Sequence, residues 1–169
     1  PSTWVTSEPY TPTYANTLAD LSAYYFKTTL AAGSNFTAGL VPYDPAAKAP
    51  NADKNPNLHM NTYGMTLGAK GIIFTGSPSD DAYNHPPAWP NPNTNRSPTA
   101  VDDLYHATIN GRGKMLMATN SSSTVTSLKS IIADLLNKAG AGSALTLSNV
   151  NIQSGDNIAY IGSFNQSDW

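Results

Sequence analysis

Asp102 and His106 are the two residues whose types and spacing point most directly to chemistry. They lie four positions apart in AVDDLYHATIN, which we predict to be a helix, so both side chains project from one face. A carboxylate and an imidazole on one face can bind a metal ion. No third ligand follows at a fixed spacing, and we rank this metal pair below a structural interpretation. In that interpretation Asp102 and Asp103 stabilise the helix start, and His106 is a core or hydrogen-bonding residue.

Other patterns that carry chemistry are absent or incomplete. The loop at 53–59 places an oxygen-bearing side chain at every second position, but it lacks the glycine and the bidentate glutamate of a calcium loop. The chain has no Gly-x-Ser-x-Gly elbow, no cysteine and no pair of carboxylates that stands out. Gly111 and Gly113 follow the C-terminus of a predicted helix, whereas the glycines of a phosphate-binding loop precede the N-terminus of one. We therefore predict no catalytic residue and no cofactor in this segment, and a protein that is not an enzyme.

Aromatic residues in the loops are the remaining candidates for binding. Tyr43, Tyr83 and Trp89 lie in two long stretches, 34–58 and 75–99, that are rich in Pro and Asn. Aromatic rings exposed in such loops could form surface contacts or stack on sugar rings. A secreted carbohydrate-binding or hydrolase domain that uses these aromatics therefore stays open as an alternative function.

The composition excludes several classes of protein. Charged residues make up 12% of the 169, about half the usual share, and 17 Asn, 17 Ser and 18 Thr take their place. Nine scattered basic residues and a net charge of −2 argue against a nucleic-acid partner. No apolar run reaches the roughly 20 residues of a transmembrane helix. The chain starts at Pro1 and stops directly after an alternating apolar run, so we expect an internal part of a longer polypeptide.

The first half of the chain predicts one helix and two strands between long loops. Residues 14–32 lack Gly and Pro, and Leu18, Leu21 and Tyr25 recur at helical spacing. We expect Asn16 or Thr13 to cap this helix and Gly33 to end it. A short strand is predicted at 59–67, followed by a turn at the glycines 68 and 71 and a second strand at 72–74.

The last third shows clearer signals. A helix capped by Ser97 or Thr99 should end at Gly111 and lead into a buried strand at 114–118. A second helix, capped by Ser122 or Ser123, should run to the glycine at 140. Its predicted core stripe is Val125, Leu128, Ile131, Ile132, Leu135 and Leu136. This order of elements predicts an α/β domain with a parallel sheet, and the alternation after 142 predicts an antiparallel β segment.

Five strings in this order resemble the PilY-type tip adhesins of type IV pili. They are NTLADLSAYYFKTTL, HMNTYGMTLGAKG, Trp89 in its Pro/Asn loop, AVDDLYHATINGRGKMLMA and IAYIGSFNQSDW. The family has an Asp-Asp-Leu-(Trp/Tyr)-His-Ala helix that runs into Asn-Gly-Arg-Gly and a strand. Tyr105 stands where Trp is usual, and the resemblance covers residues 14–30 and 59–169.

The resemblance implies an architecture. Residues 1–143 would be the C-terminal half of a von Willebrand factor A-like (Rossmann-like) α/β domain with long loop insertions. Residues 144–169 would be β-strands that begin a C-terminal β-propeller. The calcium or magnesium sites of the family would lie outside this segment.

The resemblance also implies a function at the cell surface. The chain would belong to a non-enzymatic adhesion and pilus-assembly factor at the tip of a type IV pilus, outside a Gram-negative-type bacterium. Its partners would be the pilin or minor pilins, a host or abiotic surface and the rest of its own polypeptide. A structural spacer of an extracellular filament remains a further alternative.

Overall fold

Two parallel strands and three helices form the structured part of the chain. The computed structural model describes residues 7, 9–11, 13–30, 51–93 and 98–140. The elements are α1 (Leu18–Lys27), β1 (Gly64–Thr66), α2 (Pro98–Asn110), β2 (Met115–Met117) and α3 (Ser121–Gly140). The predicted loop 34–58 lies partly outside the described residues, and Tyr43, Gly33 and Ser97 lie outside them. The predicted strands at 144–169 lie wholly outside, so the β segment after 143 stays a prediction.

The parallel sheet is confirmed, although its strands are shorter than predicted. β1 pairs with β2 in parallel, with Gly64 opposite Met115 and Thr66 opposite Met117. The residues before β1 do not join this ladder because their backbone bonds elsewhere. Thr62 N–H donates to the carbonyl of Gly111 at 3.3 Å. The predicted strand 59–67 is therefore a three-residue strand preceded by irregular chain.

α1 is shorter than predicted and buries a different face. Thr17 is its N-cap and forms a capping box with Asp20, so the predicted caps Asn16 and Thr13 are wrong. Asn16 has φ 62°, a conformation that no helix continues through. The residues that α1 buries are Ala19, Ser22, Ala23 and Phe26. The predicted stripe of Leu18, Leu21 and Tyr25 is exposed. Small alanines let α1 approach α2 closely, and this packing overrides the size of the apolar side chains.

α2 begins two residues before Ala100, the first residue of the string that predicted the helix. It starts at Pro98, a residue favoured in the first turn because its missing N–H is not needed there. Thr99 lies inside the helix and is buried, so it is not the cap. Asp102 and Asp103 consequently lie beyond the first turn, and the helix dipole does not explain them. The helix ends at Asn110 as predicted, and the turn at 111–113 enters β2. At that turn a Cβ on Gly113 would overlap the carbonyl of Thr62.

α3 confirms the predicted helix, but its apolar stripe is not a core stripe. Asn120 Oδ1 accepts from Ser123 N–H at 2.8 Å, and Ser123 Oγ accepts from Asn120 N–H at 2.9 Å. Asn120 is therefore the N-cap of α3, and the predicted caps Ser122 and Ser123 are wrong. Five stripe residues are between 44% and 65% exposed: Val125, Leu128, Ile132, Leu135 and Leu136. The described residues leave this face uncovered.

The hydrophobic core lies between α2, β2 and the loop 74–89. Its buried members are Phe74, Ala82, Trp89, Tyr105, Ile109 and Met115. Two of them, Ala82 and Trp89, come from the stretch 75–99 that the sequence predicted to be a loop insertion. The loop therefore contributes to the core because it folds back over α2.

Candidate functional site

Asp102 is the central buried charge of the described region. Its side chain is 0% exposed, and its carboxylate accepts three backbone N–H groups. Ile72 donates to Oδ2 at 2.8 Å, while Ile73 and Phe74 donate to Oδ1 at 3.0 and 2.9 Å. Because these N–H groups bond to a carboxylate, residues 72–74 do not form the predicted strand. A carboxylate that is satisfied in this way is built to hold a loop.

Asp103 has a role that the sequence did not reveal. Its carboxylate accepts the N–H groups of Leu18 at 2.9 Å and Ala19 at 3.1 Å, the first two residues of α1. It therefore stabilises the N-terminus of a helix about 85 residues away in the chain. The two adjacent carboxylates thus fasten two different segments to α2.

His106 is a core residue, as the structural interpretation expected. Its ring stacks on Trp89 with centroids 4.0 Å apart and an interplanar angle of 5°. Nε2 lies 3.3 Å from the carbonyl of Tyr10. Burial lowers the pKa of His106 to about 4, although the hydrogen bond to Tyr10 opposes the shift. The ring is therefore neutral at pH 7.

Trp89 is not the exposed loop aromatic that the sequence led us to expect. Its indole is 5% exposed, and Nε1 donates to the carbonyl of Pro9 at 3.0 Å. It is buried because the loop turns the indole towards Tyr105 and His106. Tyr83 is half-buried against the core, and burial raises its pKa.

A second polar cluster joins Asp53, His59 and Asn61. His59 Nε2 lies 2.7 Å from Asp53 Oδ2, and Asn61 donates to the same oxygen at 2.8 Å. His59 Nδ1 lies 2.6 Å from the carbonyl of Asn57. Both ring nitrogens face acceptors, an arrangement that the doubly protonated ring satisfies. These bonds close the loop that faintly matched a calcium site into a compact turn.

The charge of Asp53 is strongly favoured in this cluster. Burial raises its pKa, but the hydrogen bonds from His59, Asn61 and the Asn55 N–H lower it more, to about 2. The side chain of His59 is only 2% exposed and that of Asp53 14%. The cluster therefore holds a mostly buried carboxylate hydrogen-bonded to His59 and Asn61, which the sequence signalled only through the spacing of polar residues.

Arg112 is a further polar side chain that is engaged within the fold. It adopts φ 53° and its guanidinium lies 3.6 Å from the ring centroid of Tyr10 and 4.7 Å from that of Phe26. It also donates to the carbonyls of Ile109 and Asn110, both at 3.1 Å. These carbonyls end α2, so Arg112 caps the helix while it packs between aromatic rings.

Two cavities lie near these residues. A cleft of about 10 Å³, room for roughly one water, is lined by Trp89, Asp102 and His106 among others. The predicted metal pair is thus close to this cleft, but the carboxylate of Asp102 faces the N–H groups of 72–74. A groove of about 450 Å³ runs along β2 beneath the loop 74–83. Among the described residues, no group of three or more His, Cys, Asp or Glu side chains is placed to hold a metal ion.

The described residues show the fold class of this part of the chain. They form a small α/β unit in which a β–α–β connection builds a parallel sheet. Within this unit no helix is long and apolar enough to cross a membrane. No protein-family model matches the chain, and no solved structure matches it.

One curated protein is similar to the chain. The type IV pilus biogenesis factor PilY1 of Pseudomonas aeruginosa (strain PAK) is 30% identical over 141 residues, which cover 73% of this chain. The chain spans about 12% of the length of that protein. The similarity supports a PilY-related family, as the ordered strings predicted.

Proposed function

We propose that the chain is part of a non-enzymatic adhesion and pilus-assembly factor at the tip of a type IV pilus. The observation that carries this proposal is the 30% identity to a type IV pilus biogenesis factor over most of the chain. In this proposal the protein lies outside the cell, contacts the pilin or minor pilins, and attaches to a host or abiotic surface.

The exposed face of α3 supports the proposal that residues 1–143 are part of a larger von Willebrand factor A-like domain. An amphipathic helix normally buries its apolar stripe against a neighbour. All-parallel sheets are normally covered on both faces and contain more than two strands. The remaining strands would come from the rest of the polypeptide, and residues 144–169 would lead into a propeller. Amide exchange along α3 should be slower in the full-length parent protein than in this chain.

The buried polar side chains bond to other parts of the fold, and this supports a role without catalysis. Asp102 holds a loop, His106 stacks on Trp89, and Asp53 pairs with His59, so these groups serve the fold. Calcium or magnesium would bind outside this segment. Contact with a surface would instead use exposed side chains. α1 offers a row of them: Leu18, Leu21, Tyr24 and Tyr25.

Deleting the encoding gene in its own organism tests the pilus role. We expect fewer surface pili by electron microscopy and weaker attachment to a solid surface, both restored by the intact gene. A parallel deletion in a strain that cannot retract pili separates assembly from retraction. Pilus number and attachment that stay unchanged in both strains would refute the proposal. Immunogold labelling with antibodies against this chain should mark pilus ends, and labelling along the shaft would favour the structural spacer.

A secreted carbohydrate-binding domain is the weaker alternative. Trp89, the aromatic best suited to stacking on a sugar, is buried in the core. Titration with oligosaccharides while tyrosine and tryptophan fluorescence are recorded would show no saturable change if the pilus proposal is right.

A further inference from the structure

Each of the two strands has one paired edge and one open edge. Gly64 N–H donates to the carbonyl of Lys114 at 3.0 Å, and the carbonyl of Thr66 accepts from Ala118 N–H at 2.8 Å. In a parallel ladder these two bonds direct the N–H and C=O of Met65 away from β2. Within the described part of the chain, these two groups have no hydrogen-bond partner. A larger sheet must therefore continue from the open edge of β1, from that of β2, or from both.

α2 and α3 lie on opposite faces of the sheet. Gly64 faces α2, because a Cβ on this glycine would lie within 3.2 Å of the side chains of Thr108 and Leu104. Side chains alternate between the two faces along a strand, so the neighbouring Tyr63 faces the other way. Its hydroxyl donates to a carboxylate oxygen of Asp134, in α3, at 2.6 Å. α2 therefore covers one face and α3 the other.

α1 lies in the same layer as α2, beside the chain that enters β1. Ser22 Oγ donates to the carbonyl of Ala107, in α2, at 2.7 Å and lies 2.7 Å from Thr62 Oγ1, just before β1. Met60 N–H donates to the carbonyl of Tyr25 at 3.1 Å. α1 thus packs against α2 and also contacts the residues that lead into β1, which places it on the β1 side of α2.

The handedness of strand connections decides where a strand that precedes α1 belongs. A helical connection between parallel strands of one sheet is right-handed in about 98% of cases. α2 carries the chain from β1 to β2, and a connecting helix on the same face must move the chain in the same direction. Since α1 shares that face and leads into β1, the strand before it lies on the side of β1 away from β2. A connection through α3, on the opposite face, runs back towards β1.

We propose that the open edge of β1 binds the strand that precedes α1 in the parent polypeptide, and that β2 is an edge strand of the complete sheet. This placement rests on the proposed larger α/β domain and specifies the edge at which that domain continues. The similar region makes up about 12% of PilY1, so that protein has ample length for further strands. The loop over β2 agrees with the placement, since Gly76 lies against Met117 and a covering loop protects an edge strand.

Hydrogen–deuterium exchange of the parent protein and of the 169-residue chain tests the placement. Peptides that cover β1 report the amide of Met65, and peptides that cover β2 report those of Met115 and Met117. We expect Met65 to exchange about tenfold more slowly in the parent, while the other two amides change less than about threefold. Slower exchange at Met115 and Met117 would overturn the placement and leave the larger domain standing. No slowing at either edge would overturn the larger domain, and the placement with it.

Two proline variants provide a matched comparison in the parent protein. Met65→Pro removes the N–H that donates to the added strand, whereas Met117→Pro removes an N–H at an open edge, where proline is tolerated. We expect Met65→Pro to lower the thermal midpoint of the parent by about 5 °C more than Met117→Pro, and the two to differ by less than about 2 °C in the 169-residue chain. Equal midpoints in the parent contradict the placement. If both variants fail to fold in the parent, the exchange comparison on the wild-type proteins decides.

Discussion

Replacing Asp102 by Asn tests whether one buried carboxylate holds the loop 72–74 on α2. The substitution preserves shape but replaces one carboxylate oxygen by an NH₂ group, which cannot accept a hydrogen bond from a backbone N–H. At least one of the three N–H donors then loses its acceptor in a site with no access to water.

The size of the effect follows from these contacts. Hydrogen bonds to a charged group contribute about 1.5–3 kcal/mol each, and neutral ones about 1 kcal/mol. Losing one charged bond and weakening two others should lower the free energy of unfolding by about 3 kcal/mol. Asp102→Ala leaves three donors without an acceptor and should cost about 5 kcal/mol, a large part of the stability of a small domain.

Asp80 provides a matched control. Its carboxylate also accepts the N–H groups of three consecutive residues, Thr75, Gly76 and Ser77, at 2.7, 2.7 and 3.1 Å. That turn lies at the surface, where water replaces a lost bond, so Asp80→Asn should cost less than about 1 kcal/mol. Urea unfolding followed by the fluorescence of the buried Trp89 measures both variants.

Amide exchange shows where the effect lies. In Asp102→Asn, the amides of Ile72, Ile73 and Phe74 should exchange faster while those of residues 75–77 do not change. The reasoning is refuted if the two Asn variants lose the same stability within 0.5 kcal/mol, or if exchange at 72–74 stays as slow as in the wild-type chain.

Three further predictions concern pH and close packing. His106 is neutral when folded, with a pKa of about 4 against an ordinary 6.5, so stability should fall by about 2 kcal/mol from pH 7.5 to 5 in urea titrations. His106→Phe should abolish this slope. Asp53, with a pKa of about 2, should contribute roughly 1–2 kcal/mol above pH 4 that is lost as the pH falls towards 2. Asp53→Asn should remove that acid transition, and an unchanged transition would contradict the prediction. Gly71→Ala places a Cβ against Asp102 and should cost more than about 2 kcal/mol, whereas Gly68→Ala, strained at φ 80° but in open space, should cost about 1 kcal/mol. Equal thermal midpoints for the two variants would contradict the last prediction.

The order of elements in the last part of the chain could be predicted from the sequence because its signals are local. A helix that ends before the glycines of 111–113, a short apolar strand and a second helix each depend on neighbouring residues. The pairing of β1 with β2 followed from their apolar character and from the helix between them. Five ordered strings likewise pointed to a PilY-related protein, and the similarity to PilY1 agrees.

The buried faces could not be predicted in the same way. Periodicity shows which residues share a helix face, but not which neighbour covers it. Leu18 and Leu21 form the apolar stripe of α1, yet the helix packs through Ala19 and Ala23 because small residues permit a close approach to α2. The stripe of α3 is as regular as a core stripe, and the described residues leave it uncovered.

The polar contacts show the same division between sequence and tertiary structure. The sequence by itself determined which residues could form ion pairs, caps and metal sites, since residue type and local spacing are enough for that. Tertiary structure alone decided that Asp102 binds the amides of residues about 30 positions away, that Asp103 caps α1, and that Trp89 stacks on His106. Each of these contacts joins residues distant in the chain, and their geometry exists only once the chain has closed around α2.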